Sequence, residues 1–211
     1  MFEDKYLVRE CNYFVVDKLV EKYHYLGDKD FRSGYCFSLH EKKNHEYGDL
    51  ITIGKTLGGC VWHNVSAPNT VQGAFGLDRT DQEGIFELGR FILIPEANQQ
   101  KNLASYFLSK TIKMLRNKTK VRALITYADS RHHKGVVYKA CNFKYYGLTD
   151  PKNDFQDERG NIIERGKVKT KAGKWIPRSR KHRYMMVFDK NLNVKWKEEK
   201  YPKSMEGNGG G

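Results

Sequence analysis

No CxxC pair occurs among the four cysteines, Cys11, Cys36, Cys60 and Cys141, which lie far apart, so the sequence offers no zinc ribbon. No apolar run approaches the length needed to span a bilayer, and the opening MFEDKYLVRE has no hydrophobic h-region. No internal repeat is evident, and the one low-complexity stretch, EGNGGG, reads as a flexible end. These absences predict reduced thiols and a soluble protein with no membrane partner.

What is present suits one globular domain. The chain has 211 residues, of which 39% are hydrophobic and 13% aromatic, enough to bury a core. The net charge is +13, which points to a polyanionic partner; a generally lysine-rich surface is the plainer explanation.

Apolar spacing predicts a helix within Cys11–Tyr23, strands at 34–39 and 50–68, and a central strand Gly84–Pro95 that Pro95 ends. Gly58 and Gly59 suggest a bulge or a close approach. Leu103, Phe107 and Met114, with Leu108, Ile112 and Leu115 beside them, form a helical stripe. VRALITYA reads as a buried strand, GVVYKACNF as a short helix, and FKYYGL and YMMVFD as further strands. Helices placed between only some of the strands predict an α/β fold with a mixed sheet.

Two stretches carry chemistry. In EANQQKNLAS, between the central strand and its helix, Gln99, Asn102 and Ala104 follow the spacing Q-x-x-(turn)-x-(small). Such a turn aims backbone N–H groups outward at a helix N-terminus, where an anion is favoured; an ordinary capped helix start fits equally well. Asn102 tolerates the left-handed conformation, and Ala104 and Ser105 are small enough for a phosphate to approach. In YADSRHHKGVVYKACNF, Asp129 stands where a strand stops, followed by His132, His133 and Tyr138. Asp129 suits a group that holds an amine for attack, or simply an Asx turn. Tyr138 suits a proton donor to a leaving group, or a packed ring.

The turn resembles the pyrophosphate loop of the GNAT acetyltransferase superfamily, Q/R-x-x-G-x-G/A, with Asn102 in place of the first glycine. GVVYKACNF is similar to that superfamily's late helix, with Asn142 where glycine is usual. YHYLG, ELGRFILIPEANQQKNLAS, TYADSRHHKGVVYKACNF and KHRYMMVF together, over roughly residues 20–190, resemble the phage Mom-type DNA modification proteins. That resemblance implies a GNAT-like mixed central sheet flanked by helices. It further implies conversion of adenine in DNA to N6-carbamoylmethyladenine as protection from restriction, in the host cytoplasm. His24, Tyr25, Arg90, Asp129 and Ser105 would be the matched site residues, with Gln99, Asn102 and Ala104 beside the donor.

Arg90 interrupts an apolar strand, so burial demands an anionic partner, for which a donor phosphate serves. Glu87, at an odd offset on a regular strand, faces the other way. His24 and Tyr25 could contact the base, or with Asp129 hold iron, but no second histidine of a facial triad is set by spacing. His132 and His133 are expected to be exposed.

Lys167–Arg183 holds eight Lys/Arg and no acid, interleaved with Trp175. Lys169, Lys171, Lys174, Arg178, Arg180, Lys181 and Arg183 would follow a double-stranded DNA backbone, and Trp175 could stack or wedge. Residues 1–190 are expected to form one domain carrying this basic extension, with 191–211 as a tail. The donor stays open between acetyl-CoA and glycyl-tRNA, which would make tRNA a second partner. An ordinary GNAT acetyltransferase acting on a protein or small amine is the first rival reading, and a non-enzymatic DNA-binding protein on a decayed GNAT scaffold is the second.

Overall fold

The computed structural model describes residues 2–24, 32–44, 51–163, 168 and 172–203. The chain begins with α1 (Phe2–Lys5), β1 (Tyr6–Glu10) and α2 (Tyr13–Tyr23), then β2 (Tyr35–Asn44), β3 (Ile51–Asn64) and α3 (Pro68–Phe75). It continues through β4 (Ile85–Leu93), α4 (Pro95–Asn98), α5 (Leu103–Lys118), β5 (Ala123–Asp129), α6 (Val136–Ala140) and β6 (Lys144–Leu148). The last strands are β7 (Asn153–Asp157), β8 (Ile162–Ile163), β9 (Gly173–Pro177) and β10 (Lys181–Val187).

Seven strands form the main sheet in the order β1-β2-β3-β4-β5-β10-β6, mostly antiparallel, with helices packed on it. This is the mixed α/β architecture that the sequence implies. The strand β1 and the helix α3 go beyond the sequence expectation.

The crossover from β4 to β5 runs through α5 and makes the one parallel pairing within this sheet. It is short: Ile85, Phe86 and Glu87 pair with Ala123, Leu124 and Ile125, and beyond them the two strands part. Leu103, Phe107, Leu108, Ile112 and Leu115 bury one face of α5, at about 1.5–3 kcal/mol for each large side chain. Thr111 on the same face is fully buried and satisfied, donating to Leu108 O at 2.9 Å and accepting from Trp62 Nε1 at 3.2 Å.

On α2, Asn12 caps the N-terminus by accepting from Phe14 N, and Val16, Leu19 and Val20 form the buried stripe. A Cβ on Gly59 would lie 2.9 Å from Leu19, so this glycine lets α2 sit directly on β3. The strand β3 is bulged against β2 opposite Leu39/His40, where Leu57 is passed over, next to Gly58.

A smaller sheet, in the order β8-β7-β9, precedes β10. It is tied to the main body by Ser130 N donating to Arg180 O at 3.0 Å and Arg131 Nη2 donating to Pro177 O at 3.3 Å. Residues 192–203 are packed, not loose. Leu192 is buried, Lys195 N donates to Ala74 O on α3 at 2.8 Å, and Glu199 N donates to Tyr145 O on β6 at 2.9 Å. EGNGGG lies outside the described residues.

Candidate active site

Where β4 and β5 part, a cavity of about 740 Å³ opens. The C-terminal halves of both strands line it, together with His24 at the end of α2, Ala104 at the start of α5, and Val136, Val137 and Tyr138 of α6. A crevice at the carboxyl ends of diverging strands is the usual ligand position in such sheets. Eight residues singled out in the sequence, His24, Arg90, Ala104, Asp129, His132, His133, Tyr138 and Lys181, meet there.

Asp129 is the last residue of β5, opposite Lys181 on β10. Its Oδ1 accepts from Arg131 N at 3.0 Å, the Asx turn, and its Oδ2 accepts from Ser179 Oγ at 2.6 Å. Partial burial pushes its carboxyl pKa up, but the Ser179 hydroxyl, the Arg131 amide and the nearby positive groups outweigh burial and hold it below the ordinary aspartate value. Asp129 is therefore a firmly ionised acceptor. It can hold an amine N–H but is a weak base.

The β3–β4 register runs Val61↔Arg90 and then Trp62↔Leu88, which leaves Gly89 as an extra, bulged residue. This corrects the expectation for Glu87. Glu87 pairs with His63, and Arg90 with Val61, two residues earlier on β3, so the bulge returns Glu87 and Arg90 to the same side. Both line the cavity. Glu87 Oε2 accepts from Ser66 N at 3.0 Å, and Arg90 Nη1 donates to Gly89 O at 2.9 Å.

The bulge also makes room for His63. A Cβ on Gly89 would stand 2.1 Å from His63 Nε2, so the ring lies against bare backbone. His63 is 5% exposed and its Nδ1 is 2.7 Å from Asn64 O. A carbonyl only accepts, so Nδ1 carries the proton and Nε2 of the neutral ring keeps its lone pair. Sequence reasoning passed over His63, because one histidine in GGCVWHNV looks like any strand residue. The isolated glycine of ELGRF was the available signal, since glycine inside a strand marks a bulge. Tyr127 was missed as well. It lies in the same cavity, and burial raises its phenol to about 12.

The turn before α5 takes the expected form. Asn102 is the N-cap at φ 65°, the left-handed conformation a glycine would adopt there. Asn142, the other departure from the GNAT pattern, also has φ 65°. Each asparagine thus holds the left-handed backbone that glycine adopts most readily. The first bond of α5 runs from Tyr106 N to Asn102 O, so the amides of Ala104 and Ser105 precede the hydrogen-bonded ladder. Ser105 Oγ donates to Asn102 O at 3.0 Å, and Gln99 is exposed just ahead of the turn.

Tyr138 is 5% exposed; its ring packs against Tyr184 and Phe143 at 5.2 and 5.9 Å and also borders the cavity. His132 and His133 are exposed at the rim, and Gly135 N donates to His133 Nδ1 at 3.2 Å. Tyr25 lies outside the described residues. Among the described residues no group of three or more His, Cys, Asp or Glu is placed to hold a metal ion, and none of their helices is long and apolar enough to cross a membrane.

Of the basic segment, Lys169 and Lys171 lie outside the described residues. Lys174 and Trp175 are on β9, where Trp175 is 53% exposed and meets Phe155 edge-on at 5.4 Å. Arg178 pairs with Asp154 at 2.9 Å, Arg180 Nε donates to Thr149 O at 2.6 Å, and Lys181 is exposed at the cavity rim. Arg183 Nε donates to Tyr146 O at 3.1 Å, and its guanidinium covers Trp196 at 4.8 Å, so it is bound into the body of the protein.

The model of the Mom protein family matches residues 5–203. No curated protein sequence matches. Among solved structures, an IAA acetyltransferase from Bacillus cereus ATCC 14579 overlays with a TM-score of 0.49 at 12% identity, covering 87% of this chain and 99% of the other. The ribosomal-protein-S18-alanine N-acetyltransferase of Escherichia coli gives 0.49 at 10% identity, covering 89% and 99%. A Bacillus subtilis acetyltransferase in complex with CoA gives 0.46 at 14% identity, covering 87% and 98%.

Proposed function

The chain belongs to the Mom protein family, and from that premise we propose that it modifies adenine in DNA. An acyl-derived group is transferred to the exocyclic N6, on the way to N6-carbamoylmethyladenine. The observation that carries this reading is one cavity with an ionised carboxylate, Asp129, on one wall and the first turn of α5, at Ala104, on another.

Adenine N6 is a poor nucleophile because its lone pair is delocalised into the ring. It needs orientation and a destination for its proton. The Asp129 carboxylate accepts one N6–H and turns the amine toward the donor. The donor is anchored at the Asn102 turn, where the dipole of α5 favours phosphate oxygens. Tyr138 stands at the same cavity to protonate the leaving thiolate or alkoxide. A volume of about 740 Å³ is within the range of small-molecule sites, roughly 300–1,000 Å³. A paired adenine must leave the duplex to reach it. The net charge of +13, with Lys174 exposed on β9 and Lys181 exposed at the cavity rim, suits a phosphate backbone. Modified N6 alters the donor pattern that proteins read in the major groove, which is how the product would hide DNA from restriction.

Atom balance bears on the donor. Carbamoylmethyl contains the same atoms as glycyl, so acylation of N6 by a glycyl ester followed by isomerisation needs nothing further. Acetyl-CoA delivers two carbons and no nitrogen, and therefore requires a separate nitrogen source and an oxidant. The left-handed Asn102, in contrast, favours a pyrophosphate-bearing thioester. Reactions with labelled glycyl-tRNA and labelled acetyl-CoA, followed by counting label in adenine, separate the two.

Plasmid DNA from expressing cells, digested to nucleosides and examined by mass spectrometry, should contain deoxyadenosine heavier by one glycine residue. Unmodified DNA together with rapid acetylation of a protein or small amine would instead establish an ordinary N-acetyltransferase.

A further inference from the structure

We infer that His63 is the general base of this site, taking the N6 proton as the amine attacks. The inference rests on the proposed transfer to adenine.

Asp129 cannot fill that role well. Both of its oxygens already accept hydrogen bonds, and its ionised form is favoured, so it orients the amine while the proton needs another acceptor. The cavity offers Glu87, His24, His63, His132 and His133. Glu87 accepts the Ser66 amide, and His133 accepts the Gly135 amide at Nδ1, which leaves a protonated Nε2 that donates. His24 ends α2, and His132 stands in the exposed turn after β5.

His63 differs from all of these. The Asn64 carbonyl fixes its tautomer, the residue as a whole is only 5% exposed, and among the described residues Nε2 has no hydrogen-bond partner. That nitrogen rests over Gly89, at the bulge that turns Arg90 into the same cavity. A tautomer-fixed imidazole whose unmatched lone pair borders the cavity is placed to accept an N–H from a ligand there. The exocyclic amine of a flipped adenine provides such an N–H.

The step balances. The N6 electron pair forms the bond to the acyl carbon as the N6 proton passes to His63 Nε2. The bond from that carbon to the donor's sulfur or ester oxygen breaks with its pair on the leaving atom. The proton then passes to that atom, directly or through Tyr138.

The test uses full-length protein in a cell lysate, with plasmid DNA as acceptor and label followed into adenine. His63→Ala should lower the rate at saturating DNA by about 10²–10⁴-fold, the usual contribution of a general base, while leaving KM for DNA nearly unchanged. Added imidazole should restore part of the rate, whereas pyrazole, an isosteric ring of far lower basicity, should not. His63→Gln, which nearly keeps the side-chain volume, should be as slow as His63→Ala while retaining the wild-type circular dichroism spectrum; it decides the matter if His63→Ala is unstable. Wild-type rates in either variant, equal rescue by both rings, or no rescue by imidazole would overturn the role of His63. A wild-type protein that leaves adenine unmodified would overturn the parent reading, and this proposal with it.

Discussion

The Ser179 hydroxyl donates to Asp129 Oδ2 at 2.6 Å, joining the end of the basic segment to the carboxylate at the cavity. The residue at the end of β5 is thus held from two directions. The Arg131 amide belongs to its own turn, and Ser179 belongs to the loop between β9 and β10. The loop before β10 thus touches the Asp129 carboxylate itself through one hydroxyl, and the neighbouring turn through Ser130 and Arg131.

Asp129→Asn should abolish modification while leaving DNA affinity near wild type, because the amide keeps the shape but loses the anionic acceptor. Nucleoside mass spectrometry with a parallel DNA titration checks this. Wild-type levels of modified adenine would remove Asp129 from the mechanism.

Ser179→Ala removes a hydrogen bond that favours the ionised form, so the Asp129 pKa should rise. Activity that requires the carboxylate falls as pH drops, and in the variant this acid limb should move to higher pH. Because the folded value of Asp129 lies below its unfolded one, its contribution to stability is present above the ordinary aspartate value and is lost as pH falls through the folded value. Ser179→Ala should therefore flatten the acid side of the stability profile, as read from melting temperatures across acidic buffers.

Gly89→Ala places a Cβ 2.1 Å from His63 Nε2, so ring or strand must move. Overpacking of this kind typically costs about 1–3 kcal/mol. The expected result is a lower melting temperature together with loss of modification. An alanine variant with both properties unchanged would contradict the geometry of the bulge.

At Asn102 the left-handed backbone predicts a ranking. Asn102→Gly should be neutral or slightly stabilising, whereas Asn102→Ala should lose about 1 kcal/mol. Chemical denaturation reads both. Asn102→Gly should also retain donor binding, since the turn keeps its shape.

Replacing Lys174 and Lys181 by Gln should weaken DNA binding at every sequence and reduce the log–log salt slope by roughly one per lost phosphate contact. Arg183→Gln serves as the contrast. Its guanidinium is bound to Tyr146 O and Trp196, so its loss should lower stability more than it changes the salt slope. An unchanged slope for the double lysine variant would place the DNA elsewhere.

Much of the scaffold was legible because its elements are strongly periodic. The stripe Leu103, Phe107, Leu108, Ile112, Leu115 and the apolar runs of β4 and β5 leave few alternatives. YLVRE escaped notice because an edge strand of five residues that ends in two charged ones carries no clear alternation, and PNTVQGAF because eight residues hold barely two turns. The site was legible where chemistry follows chain order, as with Asp129 at a strand end and Asn102 at a helix start. It was not legible where one extra residue decides which way a side chain points. Gly89 undoes the parity argument for Glu87 and Arg90, and His63 acquires meaning only against it. Ser179 reaches Asp129 across fifty positions, which no local pattern encodes.

The short parallel contact between β4 and β5 has a consequence for the order of assembly. Three residue pairs make a narrow seam, and the last described stretch of chain spans the molecule from α3 to β6 through the backbone bonds of Lys195 and Glu199. During synthesis the strands through β6 emerge before that clasp exists, so a nascent chain can gather both halves yet leave the angle between them unset. The cleft should acquire its working width only once residues 192–203 have docked on α3 and β6, so that a segment far along the chain from β4 and β5 sets the spacing between them.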